Sequence, residues 1–290
     1  MLNKILSQRK ALLIACSLII LSGCMPKPTI FQPFSARDIN NKFSSGLFTP
    51  KTQNLYILVD SSASMNKPYL SGGYQGEPTP LEHPSRFDVS KEILQRLALT
   101  IPAFELNTAI RTFGYGSCNH WYSTVQHRSL QAFDHEQFIK AVDTLPCASG
   151  GSPFTAAIEQ TRKDLQAIPG SEQISVLILS DGEHLSFNTE DLIKQLKATR
   201  GNKLCVDTLW LGKEGSSSQA ELASLAQYSG CGQAFTAKKV ASPKNMAIFV
   251  RKTLMNTVEA NDISDSLKNC IKTNQGEYID LALCSDAGKQ

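Results

Sequence analysis

The sequence predicts an α/β protein built on a doubly wound, mostly parallel six-stranded sheet with helices on both faces. Two apolar runs, Leu55–Val59 and Ser175–Leu179, lack the polar alternation of half-exposed strands, so both predict strands covered on two sides. Elsewhere, short β-type segments alternate with amphipathic helical segments. Repeated strand–helix units of this kind are typical of a parallel sheet that carries helices on both faces.

The elements are expected in a regular order along residues 54–260. Ser85 can cap the first long helix, whose apolar residues share one face. The predicted strands are 55–59, 108–113, 122–126 as a short edge strand, 175–179, 204–211 and 233–237. The predicted helices are 86–99, 134–143, 154–168, 189–199, 217–228 and 244–260.

The first 23 residues have the pattern of an export signal. Three basic residues precede an apolar core at residues 11–21, which is too short for a permanent membrane anchor. The small residues just before Cys24 resemble the lipobox of bacterial lipoprotein precursors. The resemblance implies cleavage before Cys24 and acyl chains on it. Because Met25 rather than Asp follows, it implies an outer-membrane anchor, on the periplasmic or the surface face. The alternative is an ordinary signal peptide or a buried helix with a chance Cys.

Charge and composition exclude several classes of protein. The chain has 29 Lys and Arg against 26 Asp and Glu, a formal charge of +3. Cleavage before Cys24 would remove three basic residues and no acidic one, so the mature chain would be neutral. With 41% hydrophobic and 19% charged residues, neither a multi-span membrane protein nor wholesale disorder is expected. No basic run predicts binding to nucleic acid.

Two segments flank the predicted domain at 54–260. Residues 24–53 are rich in Pro and predict a lipidated tether after the signal at 1–23. Four aromatic residues there are unusual for a bare linker and indicate that part of the segment packs on the domain: Phe31, Phe34, Phe43 and Phe48. Residues 261–290 are polar and predict a C-terminal extension.

Polar residues with oxygen side chains lie where ligands bind in such sheets, beyond the carboxyl ends of strands. Asp60, Ser62 and Ser64 follow the first strand, Ser152 precedes a helix, and Asp181 follows the second apolar strand. This arrangement resembles the metal-ion-dependent adhesion site of the von Willebrand factor A domain family, over roughly residues 54–260. Ser152 stands where the family usually has Thr.

The resemblance implies a divalent metal held by Asp60, Ser62, Ser64, Ser152 and Asp181. Carboxylate and hydroxyl oxygens suit Mg²⁺, with Mn²⁺ as a substitute, and the absence of His and Cys from the set argues against zinc. The family also implies an open position on the ion, which a Glu or Asp of a partner protein completes. A second candidate for the third loop is Thr155.

Six cysteines remain after Cys16 in the signal and Cys24, and an exported protein favours disulfides between them. Six cysteines allow fifteen connectivities. The predicted topology favours Cys118–Cys147 near the metal, Cys205–Cys231 at the opposite end and Cys270–Cys284 in the extension. Free thiols are the alternative.

Two loops beside the predicted metal are candidates for partner contacts. In and just after residues 66–84 the exposed candidates are Tyr69, Tyr74, Glu77 and Arg86, and in residues 116–122 they are Trp121 and Tyr122. The alternatives are a solvated loop for the first and edge-strand packing for the aromatics of the second.

The pattern favours a protein-binding module over an enzyme. A scaffold of an envelope complex, with a metal site that is not essential, is the second interpretation. A hydrolase using Asp60, Asp181 and His184 is the third, but no nucleophile or general base is evidently arranged beside them. The five histidines share no metal-ligand spacing, and no nucleophile-elbow, phosphate-loop or zincin motif occurs.

Overall fold

The computed structural model describes residues 34–44, 47–69, 84–115, 122–183 and 189–257. The strands are β1 Phe48–Pro50, β2 Asn54–Asp60, β3 Asn107–Phe113, β4 Thr124–Ala132, β5 Ile174–Ser180, β6 Leu204–Trp210, β7 Ala234–Thr236 and β8 Met255–Thr257. The helices are α1 Asn40–Ser44, α2 Arg86–Thr100, α3 His135–Asp143, α4 Phe154–Leu165, α5 Thr189–Ala198, α6 Ser217–Ser229, α7 Ala237–Val240 and α8 Pro243–Leu254. None of these helices is both long enough and apolar enough to span a bilayer.

Six strands form one sheet in the order β4-β3-β2-β5-β6-β7, and every neighbouring pair is parallel except β3 and β4. Every residue of β2, β5 and β6 is buried, as continuous apolar strands require when helices cover both faces. One core packs α2, α3 and α8 against the sheet, and the other packs α4, α5 and α6. The predicted α/β fold class is therefore confirmed.

The predicted start of α2 rests on a reciprocal capping box. The backbone N–H of Asp88 donates to Ser85 Oγ at 3.1 Å, and the backbone N–H of Ser85 donates to Asp88 Oδ2 at 2.9 Å. Two backbone donors that the helix itself leaves unpaired are thereby satisfied, a contribution of about 1 kcal/mol. This cap sets the residue at which α2 begins, beside the site described below.

Three of the predicted elements end three residues or more from where the sequence prediction placed their ends. The edge strand β4 continues to Ala132 rather than ending at 126, because it pairs along the whole of β3 through two register shifts. The helix predicted to end at 168 ends at Leu165. The last helix ends at Leu254, because the next three residues form β8 and pair with β1 in an antiparallel ladder. That pairing joins segments about 200 residues apart, which no local pattern shows.

The described part of residues 24–53 packs on the domain. Its α1 and β1 pack on the main core, where Phe48 is buried and Phe34 and Phe43 lie against it. The Phe43 and Phe104 ring centroids lie 5.5 Å apart, and the Arg96 guanidinium lies 4.8 Å from the Phe34 ring centroid. The expectation that part of this segment packs on the domain is therefore met from residue 34 onward, within the described residues.

Candidate metal site

Asp60 ends β2 with both carboxylate oxygens held by donors from neighbouring segments. The backbone N–H of Ser62 donates to Oδ1 at 2.9 Å, and Ser180 Oγ at the end of β5 donates to Oδ2 at 2.6 Å. Asp60 is fully buried. The adjacent strand ends thus fix the carboxylate at the carboxyl edge of the sheet, the edge we call the metal end.

Ser62, Ser64 and Asp181 complete a compact group of oxygens at the metal end. Ser62 Oγ and Ser64 Oγ lie 3.0 Å apart, and Ser64 Oγ donates to Asp181 Oδ1 at 3.1 Å. Oxygens around Mg²⁺ at about 2.1 Å in an octahedron would be separated by roughly 3 Å along each edge. The spacing of these three oxygens therefore fits a small divalent cation.

A third loop is tied to the first by backbone hydrogen bonds. Ser149 N–H donates to the Ser61 carbonyl at 2.9 Å, and Ala63 N–H donates to the Gly150 carbonyl at 2.9 Å. The Ser152 hydroxyl oxygen is buried and has no hydrogen-bond partner among the described residues. Such an orphaned oxygen fits a ligand position. Thr155 lies exposed in the first turn of α4, so Ser152 is the better placed hydroxyl.

Gly114, which sequence reasoning missed, permits the close approach of the β3 end to the first loop. A Cβ at position 114 would lie 2.6 Å from the carbonyl carbon and oxygen of Ser61, a distance that excludes any side chain. The next residue, Tyr115, exchanges two backbone hydrogen bonds with Gly151. The end of β3 therefore braces both loops, and its only signal in the sequence is the Gly itself.

Arg86, expected to be exposed, instead points into the site. Its side chain is 12% exposed and donates from Nη1 to Asp181 Oδ2 and, at 2.8 Å, to Glu183 Oε1. Lys67 forms an ion pair with the other oxygen of Glu183. The sequence analysis assigns no role to Lys67 or Glu183, since no motif marks either one. Tyr69 is also buried, contrary to the prediction.

The electrostatics of the site favour a cation beside Asp60. Burial raises the pKa of Asp60 to about 7, and the nearby Asp181 charge adds to that rise, while hydrogen bonds from Ser180 and Ser62 lower it. A carboxylate that is this costly to ionise gains much from a positive charge beside it. Across the described part of the chain, no three His, Cys, Asp or Glu side chains cluster as metal ligands, so hydroxyls would have to complete the set.

The prediction of a Cys205–Cys231 disulfide is confirmed, with Cα atoms 5.2 Å apart. Tyr122 is 70% exposed. Other predicted residues lie outside the described ranges, namely Cys24, Tyr74, Glu77, Cys118, Trp121, His184, Cys270 and Cys284. The pairs Cys118–Cys147 and Cys270–Cys284 therefore stay predictions.

The sequence model of the von Willebrand factor type A domain family matches residues 97–235. This match, on a sheet with the order and polar loops described above, identifies the fold. The chain contains a von Willebrand factor type A (VWA) domain. No curated protein is significantly similar to the chain in sequence.

Solved structures resemble the VWA domain at low sequence identity. An aerotolerance-related membrane protein from Bacteroides fragilis is 14% identical, with a TM-score of 0.50 over 69% of this chain and 98% of that chain. BatB from Bacteroides thetaiotaomicron is 13% identical, with the same TM-score and the same coverage of both chains. These two similarities show the fold alone.

Proposed function

We propose that the chain is a lipid-anchored bacterial envelope protein whose VWA domain binds an acidic side chain of a protein partner through a divalent metal. The observation that carries this proposal is the oxygen group at the metal end, where the hydroxyls of Ser62 and Ser64 and one oxygen of Asp181 are spaced by about 3 Å. Mg²⁺ is the first choice of metal and Mn²⁺ a substitute. The protein acts by binding and not by catalysis.

Each residue of the site has a role in this proposal. Asp60 and Asp181 supply two negative charges, which neutralise a divalent cation. The hydroxyls of Ser62, Ser64 and Ser152 supply neutral oxygens, and the Ser152 hydroxyl oxygen is buried without another hydrogen-bond partner in the described structure. Because this set leaves coordination incomplete, a Glu or Asp of the partner can occupy the remaining position.

The path of the chain supports an anchor at the far side from the metal. Residues 48–53 lead into the amino end of β2, and β8 ends beside them in the β1–β8 ladder. Asp60 lies at the other end of β2, about 20 Å away at roughly 3.3 Å per residue. We propose that a lipid on Cys24 holds the domain from this side, with the metal end facing away from the membrane surface.

Two hydroxyl variants test the assignment of the metal ligands. We expect Ser152→Ala to weaken Mg²⁺ binding by about tenfold or more, because a buried ligand oxygen is lost. Thr155→Ala is the matched control, since it removes an exposed hydroxyl one turn away. Isothermal titration with MgCl₂ measures both. Equal affinity in Ser152→Ala and the wild type would exclude Ser152 as a ligand.

Crosslinking in cells tests the partner. We expect the wild-type chain to crosslink to a protein in the presence of Mg²⁺ and to lose that product on EDTA treatment or in Asp60→Ala. Mass spectrometry of the product should place the crosslink at the metal end. A product that survives both treatments would contradict metal-dependent binding. Mass analysis of the mature N-terminus, with Cys24→Ala as the control, tests the anchor separately.

The second candidate function is a structural scaffold in which the metal site is not essential. The observation that favours it is the ion pair of Arg86 with Asp181, which neutralises a buried carboxylate of the site without a metal. In that case Asp60→Ala would lower the melting temperature but leave the envelope complex intact. The crosslinking comparison separates the two functions.

A further inference from the structure

Arg86 contacts the site through three groups that a metal would also influence. Its Nη1 donates to Asp181 Oδ2, to Glu183 Oε1 at 2.8 Å and, more weakly, to the Ser64 carbonyl at 3.4 Å. Asp181 is fully buried and Glu183 partly so. The guanidinium is therefore the positive charge that compensates the Asp181 carboxylate in this structure.

The two oxygens of Asp181 have different partners. Oδ1 accepts from Ser64 Oγ at 3.1 Å and belongs to the oxygen group, while Oδ2 accepts from Arg86. Arg86 thus holds the carboxylate in the orientation that places Oδ1 beside Ser64. The same guanidinium also places a positive charge against a ligand of a divalent cation, which repels that cation.

We propose that Arg86 is a positioning residue that acts as a resident counter-cation: it keeps the site folded without metal and sets a low affinity for the divalent cation. The inference rests on the proposed metal binding and names how that same site is regulated. A buried carboxylate left without a partner is strongly destabilising, so Arg86 makes the fold independent of the metal. Metal then binds only by sharing Asp181 with Arg86, and affinity falls accordingly.

Lys67 provides a matched control for this argument. Its amine pairs with Glu183 Oε2 but with no oxygen of Asp181, and its side chain is 53% exposed. Water screens such an exposed charge, so its effect on a buried cation is small. Comparing Arg86 with Lys67 therefore separates direct contact with a metal ligand from the general charge of the surface.

The experiment measures metal affinity and metal-free stability of the purified full chain in detergent. The variants are Arg86→Gln, Arg86→Lys and Lys67→Gln, titrated calorimetrically with MgCl₂ and MnCl₂ and melted in EDTA or saturating MgCl₂. We expect Arg86→Gln to bind metal about tenfold more tightly, equivalent to about 1.4 kcal/mol. Its melting temperature should fall by roughly 5 °C in EDTA and recover in MgCl₂. Arg86→Lys keeps the positive charge beside Asp181 and should stay within about threefold of wild-type affinity. Lys67→Gln should do so as well, because the charge that it removes is exposed.

Each outcome bears on the inference. Unchanged or weaker metal binding in Arg86→Gln would overturn it while leaving the proposed metal function intact. An equal loss of melting temperature in EDTA and in MgCl₂, with unchanged affinity, would mean that Arg86 is only structural. If neither the wild type nor Arg86→Gln bound metal, both this inference and the proposed function would fail. If Arg86→Gln does not fold, looser metal binding in Arg86→Lys than in Lys67→Gln would count against the inference.

Discussion

Asp207 gives the fold a pH dependence that can be worked out from its surroundings. It lies in the middle of β6 and is fully buried. Its Oδ1 accepts from the backbone N–H of Gln233 at 2.8 Å, while Oδ2 has no hydrogen-bond partner among the described residues. Burial raises the pKa of Asp207 to about 6, and the Lys51 charge and the Gln233 bond lower it without offsetting that rise.

The sign of the effect follows from where the proton is held. An unfolded Asp has a pKa of about 3.9, so between pH 4 and pH 6 the folded chain keeps a proton that the unfolded chain has lost. Stability therefore falls as the pH rises through this window, and the full loss is present above pH 6. A difference of about 2 pKa units corresponds to roughly 3 kcal/mol.

The perturbation that tests this is Asp207→Asn, which removes the titration but keeps the shape. Urea unfolding of the wild type and the variant at several pH values between 4 and 8 gives the difference in their free energies of unfolding. We expect that difference to shift by about 2.4 kcal/mol in favour of Asn between pH 4 and pH 8, a little less than the full value because the unfolded Asp is still partly protonated at pH 4. Any constant cost of the buried amide cancels in the comparison. A difference that does not change with pH would mean that burial does not raise the pKa of Asp207.

Three further changes test how the fold is held together. Gly114→Ala should destabilise the domain by about 3 kcal/mol or more and weaken metal binding, because the new Cβ would meet the Ser61 backbone. Urea unfolding measures the stability and calorimetry the metal affinity, and no change in either would contradict the close packing. Replacing Cys205 and Cys231 together by Ser should lower the free energy of unfolding by roughly 3–4 kcal/mol, since their disulfide closes a separation of 26 residues. Equal unfolding free energies of the variant and the wild type in non-reducing buffer would count against that disulfide. Phe48→Ala should lower the free energy of unfolding in urea by about 3 kcal/mol, because the ring is buried in the core. Unchanged stability would contradict the packing of this segment on the core.

The sheet could be predicted because its signals are local. The continuous apolar runs of β2 and β5 match the structure to within one residue at each end. The Ser85 cap places the start of α2 correctly. The loop residues Asp60 and Asp181 follow directly from where those strands end. In each case the residues that show the pattern in the sequence are the same residues that form the strand, cap or loop.

The features that could not be predicted from the sequence depend on contacts between segments far apart in the chain. β1 and β8 are three residues each, and neither has a pattern that predicts pairing with the other. Arg86 was predicted to be an exposed candidate for partner contacts, as charged side chains usually are exposed. Only the three-dimensional position of Asp181 shows why the guanidinium turns inward.

Calorimetric titration of the purified chain with MgCl₂, repeated with Asp60→Ala, tests whether Asp60, Asp181 and the serine hydroxyls of the metal end hold one divalent cation. We predict one Mg²⁺ bound per wild-type chain and no measurable binding by a folded Asp60→Ala variant, because one of the two carboxylates is lost. No binding by the wild type, or undiminished binding by Asp60→Ala, would contradict this prediction.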